Sequence, residues 1–217
     1  MGTDSIRYII AAAKQQERQT LALHRHLDSR LAQLGQQLVL PKHQPVAALV
    51  AFVEQYIDYV PEFIDGVMQR SLEYDLQPAV IPFMHMAEDF FMAPPEELGI
   101  EPHLQGLLDE AFLAQRLIEE VNDRYIQLHR KPLLPVDMTR ANIIVHHLIG
   151  DALANRLNLL VEQSVALLID QQHLFRNFTL DTDTETSLFA LWQNLPCLSR
   201  DAAIDLRLGN GSQSFSG

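Results

Sequence analysis

Three histidines, His24, His85 and His146, stand on helix-periodic stretches with a carboxylate within a turn or two of each: Glu17, then Glu88 or Asp89, then Asp151. Imidazole nitrogens and carboxylate oxygens projecting from facing helices can surround a divalent ion or an iron pair without backbone ligands. Glu17, His24, His85, Glu88, His146 and Asp151 are therefore the expected ligands of a metal site, with iron as the candidate ion and no cofactor as the alternative. Such a site would support oxidase or hydroxylase chemistry, and Met84, Met86, Phe90, Phe91 and Met92 would line an apolar pocket for the substrate. Glu54 and Asp58 could join the ligand set.

The spacing departs from the helical metal sites it might be compared with. Ferritin-like bundles use two Glu-x-x-His pairs, and the nearest approaches are Asp170-x-x-His173 and the reversed His85-x-x-Glu88. Of the hemerythrin-like spacings only His146-x-x-x-x-Asp151 gives an echo, and no two histidines stand three or four residues apart. A third reading, heme or another small apolar ligand, draws on His24 and on Gly150-Asp151. A lone histidine on a helix is more often hydrogen-bonded to a neighbour than ligating. The chain has no phosphate-binding glycine loop, no His-Glu-x-x-His and no Gly-x-Ser-x-Gly, which removes the compact routes to a nucleotide enzyme, a zinc peptidase or a serine hydrolase. One cysteine, Cys197, excludes an internal disulfide and has no activating neighbour in sequence.

The elements that must position these residues read as helices throughout. Apolar residues recur in alternating steps of four and three at Ile10, Ala13, Leu27, Leu31, Leu34 and Leu38. That spacing predicts one long helix from about residue 5 to 38, with a seam that turns polar at Glu17, Thr20 and His24. A second helix starts at Pro45 and is expected to kink or break at Pro61. A third, from Pro78 or Pro82 to Pro94-Pro95, is apolar nearly all round and is expected at the centre of the fold. A fourth spans about His103 to His129, with Asp109, Arg116, Glu119, Glu120 and Asp123 mostly outward. A fifth, capped by Asp137, runs to about Gln172 and places His146 on its widest apolar face; Gly150 inside it marks either a close approach or a tolerated surface glycine. A short helix near Leu188–Trp192 and one more turn from Ser199 to Leu208 follow, and the brief stretch Phe175–Leu180 is the one weak strand candidate. The expected architecture is all-α, an irregular bundle of five main helices plus a short C-terminal helical element. Residues 1–208 form its single domain and 209–217 a polar tail.

Charge sets the expected partners. Between Val46 and Asp123 there are 16 acidic residues against two basic ones, Arg70 and Arg116, within an overall net charge of −12. Such a balance argues against nucleic acid, which demands clustered Lys and Arg. It calls for a cation, a basic protein partner or the basic first segment of the same chain. Glu54, Asp58, Asp65, Glu119 and Asp123 read individually as solvated. No apolar run approaches the roughly 20 residues of a membrane span, and Ile9–Ala13, followed at once by Lys14 to Glu17, reads as neither an anchor nor a secretory signal. The single cysteine, Cys197, makes a reducing cytoplasm the expected location. The favoured function is a non-catalytic helical interaction or regulatory protein that uses residues 46–123, with self-association through its long helices; the metal-dependent enzyme is the alternative.

Overall fold

A computed structural model describes residues 2–73, 75–94, 103–129, 132–172 and 203–207. The chain is all-α, and among the described residues seven helices stand in place of the five expected: α1 (Asp4–Thr20), α2 (Ala22–Gln37), α3 (Pro45–Glu73), α4 (Gln77–Met92), α5 (Leu104–His129), α6 (Thr139–Ile149) and α7 (Asp151–Gln172). The difference in number arises because the first and fifth expected helices are each broken in two.

The first break falls at Leu21, which takes a left-handed conformation at φ 52° and donates its amide to the Glu17 carbonyl. Just beyond it, the Glu17 carboxylate accepts the amides of Leu23 at 2.9 Å and His24 at 3.1 Å, two of the donors that α2 would otherwise leave without acceptors. Glu17 is 3% exposed. A buried anion at a helix N-terminus, held by two amides and favoured by the helix dipole, is a cap supplied from the previous helix. The polar middle of the expected seam is thus the elbow itself. Replacing Glu17 with alanine is expected to lower the unfolding free energy by about 2 kcal/mol, measured by urea denaturation, and His24→Ala much less, because only the His24 backbone is engaged.

The second break is Gly150, at φ 93° and ψ 147°, a conformation open to glycine and strained for other residues. Arg30 of α2 reaches the end of α6 here, donating to the carbonyls of Leu148 and, at 3.3 Å, His147. A guanidinium on the unpaired carbonyls of a helix C-terminus is favoured by hydrogen bonding and by the dipole together. The cap position of α6 is held by Met138 and not by Asp137 as expected; Asp137 stands one residue earlier, its carboxylate accepting the Thr139 amide at 3.1 Å.

Pro61 neither breaks α3 nor ends it; the helix runs through it with Pro61 buried. Proline cannot supply the N–H that would serve the Ile57 carbonyl. Beside that gap, the buried Gln115 amide donates to the Tyr56 carbonyl at 2.5 Å, bringing α5 against α3. The centre of the fold is α5, not α4: α5 packs against α1, α2, α3, α4, α6 and α7. It buries Ala111, Phe112, Leu113, Ala114, Leu117, Ile118 and Val121. Helix α4 packs chiefly on α5 and α3 and leaves a polar edge.

Two short strands, β1 (Leu38–Val39) and β2 (Asp205–Leu206), pair antiparallel with Leu38 opposite Leu206. Where one more helical turn was expected, residues 205 and 206 are therefore extended; Ile204 beside them is buried, and Arg140 pairs with Asp205. The expected strand at 175–180, the helix near 188–192, Cys197 and the tail 209–217 lie outside the described residues. No helix among the described residues is long and apolar enough to cross a membrane.

Candidate functional site

The expected metal ligands are distributed over three elbows and edges. Glu17 is committed to capping α2, and His24, half-buried, meets it through its backbone amide. His85 is exposed on α4, whose buried face runs through Ala79, Val80, Phe83, Met84, Ala87, Phe90 and Phe91; the inward lean expected of His85 is not present. Glu88 is half-buried on the same helix. His146 and Asp151 do meet, Nε2 to Oδ1 at 3.2 Å across the α6–α7 break, with Asp151 70% exposed. Among the described residues no three His, Cys, Asp or Glu side chains stand close enough together to hold a metal ion.

What the fold does gather is a polar network on α5 that the sequence reading had turned outward. Glu119 is 5% exposed. It accepts the Thr139 hydroxyl at 2.7 Å and the Asn142 amide at 2.5 Å, both from the start of α6, and pairs with Arg116 one turn back on α5. Asn142 in turn accepts the hydroxyl of the buried Tyr56 at 2.6 Å. Burial, with the Glu119 charge adding to it, holds the Tyr56 phenol well above its ordinary range, so it stays a donor. Arg116 Nε donates to Asn158 of α7 at 2.9 Å. These groups floor a cleft of about 240 Å³ between α5, α6 and α7, with Phe112, Ile143 and His146 on its walls. A single sequence carries one signal for this: Arg116 and Glu119 sit three apart, the spacing of an ion pair on one helix face, beside the apolar run Ala111–Ala114.

The acidic block divides in two. On α3 the carboxylates are answered from within, because Arg7 pairs with Asp65 at 2.9 Å, Thr3 donates to the same carboxylate, and Lys14 pairs with Asp58. Arg7, Lys14 and Arg18 face Asp58 and Glu62 across a groove of about 470 Å³ between α1 and α3. The basic first segment therefore meets the acidic second helix of the sequence reading.

On α5 Arg116 pairs with Glu119 and Arg124 with Glu120, but the carboxylates of α4 and of the first turns of α5 have no such counterweight among the described residues. From Arg70 to Arg116 the sequence contains no lysine or arginine and nine carboxylates, four of them, Glu88, Asp89, Asp109 and Glu110, on these helices. Asp109 and Glu110 are half-buried and take no hydrogen bond or ion pair among the described residues. Burial pushes the Asp109 carboxyl up to about 7, and burial together with the neighbouring Asp109 pushes Glu110 up to about 8. Asp123, further along α5, is raised by burial and by Glu119 and Glu120, with Arg116 opposing.

Set against known proteins, the chain matches no family model, no curated protein and no solved structure.

Proposed function

We propose that this chain is a non-catalytic helical interaction protein that takes a basic partner on the carboxylates of α4 and α5. The observation that carries this reading is the state of Asp109 and Glu110: adjacent, half-buried, and without a cation among the described residues. A carboxylate held away from water resists ionisation until a positive charge is brought to it. A lysine or arginine from a partner supplies that charge, and the attraction is stronger in a partly desolvated setting than on an open helix face. The α3 carboxylates serve this role poorly, since Arg7 and Lys14 already counter two of them.

A lysine-rich peptide is the probe. Binding is expected to weaken at least about tenfold between about 50 and 300 mM salt. The double variant Asp109→Asn, Glu110→Gln should bind about tenfold more weakly at fixed salt, while Glu54→Gln, Glu62→Gln on α3 should bind like the parent. Equal loss in both variants would reduce the effect to net charge and defeat the reading.

A further inference from the structure

The cleft beneath α6 and α7 carries two unengaged nitrogen donors beside an apolar wall. Both Glu119 oxygens are engaged, by Thr139, Asn142 and Arg116, and the Asn158 oxygen is taken by Arg116 Nε. The groups left without partners among the described residues are donors: Arg116 Nη2 and the amide nitrogen of Asn158. These two donors favour a ligand that presents acceptors. Beside these donors stands Ile143, 41% exposed although its helix neighbours Asn142 and Ile144 are buried, and the buried Phe112 lines the cleft with it. At about 240 Å³ the space falls short of a drug-sized site and fits a small metabolite.

We infer that this cleft binds a small monocarboxylate with a short apolar chain. The carboxylate lies on Arg116 Nη2 and on the Asn158 amide nitrogen; the chain lies against Ile143 and Phe112. Arginine suits the task because its planar fork can serve Glu119 with one nitrogen and a second carboxylate with another. Ordering Arg116 beforehand, through Glu119 and Asn158, removes part of the entropy lost on binding. The negative charge of Glu119 opposes an anion, so affinity is modest, in about the millimolar range. The proposal is independent of the basic-partner reading, since it uses other residues and a ligand of opposite charge.

The test is an NMR titration of the full chain with butyrate, following the side-chain amide of Asn158 and the ring of His146, with butyramide and butylamine as comparison probes. Butyrate should give saturable shifts, while butyramide binds several-fold more weakly and butylamine not at all. Asn158→Ala should weaken butyrate about fivefold, and Ile143→Asp, which puts a charge on the apolar wall of a partly exposed position, at least about tenfold. Both positions lie outside the deep core, and a thermal melt confirms that each variant is folded. Absence of saturable shifts up to about 50 mM butyrate, equal response to butylamine or butyramide, or unchanged affinity in both folded variants would each overturn the assignment.

Discussion

Glu119→Ala is expected to lower the unfolding free energy by about 3–5 kcal/mol, the range for removing one partner of a buried charged network. The loss is large because three donors converge on that carboxylate. Arg116 would lose its paired carboxylate while partly buried, and the Thr139 hydroxyl and Asn142 amide would lose their acceptor. The damage should pass on to Tyr56, whose hydroxyl is oriented by Asn142. Glu119→Gln keeps an acceptor oxygen and the shape but not the charge, and should cost about half as much. Urea denaturation of the two variants measures this; a loss under about 1 kcal/mol for the alanine variant would mean that Glu119 is solvated, as its sequence context had suggested.

The second large effect is a gain. Asp109→Asn, Glu110→Gln is expected to stabilise the fold at pH 9 by about 2 kcal/mol, a figure reduced from the bare shifts because both groups keep some solvent. The sign follows from the direction of the shifts. Both carboxyls are raised in the folded chain, to about 7 and about 8, so the folded state holds more protons than the unfolded one at neutral pH. Their contribution is fully present below about pH 4 and is lost as the pH rises through 7 and 8. Parent stability should therefore fall across that window by the amount the variant does not lose. Parallel stability–pH curves for the two proteins would contradict the argument.

How much of this the sequence could disclose depends on what each residue competes against. Helix type was legible from periodicity, and α4 and α5 lie close to their expected bounds, because Pro94-Pro95 and the Lys131-Pro132 turn bracket them with strong local signals. The two elbows were present as anomalies rather than as breaks. The seam turns polar at Glu17 and a glycine stands in the middle of an apolar face, yet deciding between a helix interior and a break needs the donors that meet each elbow, the α2 amides at one and Arg30 at the other. At Pro61 the expected break is absent, since α3 runs on through the proline, and the nearest tertiary contact, Gln115 on the Tyr56 carbonyl, comes from more than fifty positions away.

The candidate site shows the same limit. His146 and Asp151 were read together and do meet, because their proximity is local. Glu17, His24, His85 and Glu88 were joined to them through an assumed arrangement of helices in space, and that arrangement puts Glu17 under α2 and His85 in solvent. Glu119 was passed over because a Glu beside Glu120 and near Asp123 looks like a wet helix face. Only the placement of α5 at the centre of the bundle makes it the hub of a buried network. The regional excess of acid was plain in the sequence, whereas its division into a countered α3 and an uncountered group at Glu88, Asp89, Asp109 and Glu110 required the pairing of Arg7 and Lys14.

The most direct measurement of the basic-partner account is the number of protons exchanged on binding. Titrating the lysine-rich peptide calorimetrically at pH 7, in buffers of different ionisation enthalpy, reads that number. Raised carboxyls that lose their protons to meet an incoming cation should release about one proton per complex, and the Asp109→Asn, Glu110→Gln variant should release none. Peptide binding with no proton release, or with the same release from the variant, would contradict the account.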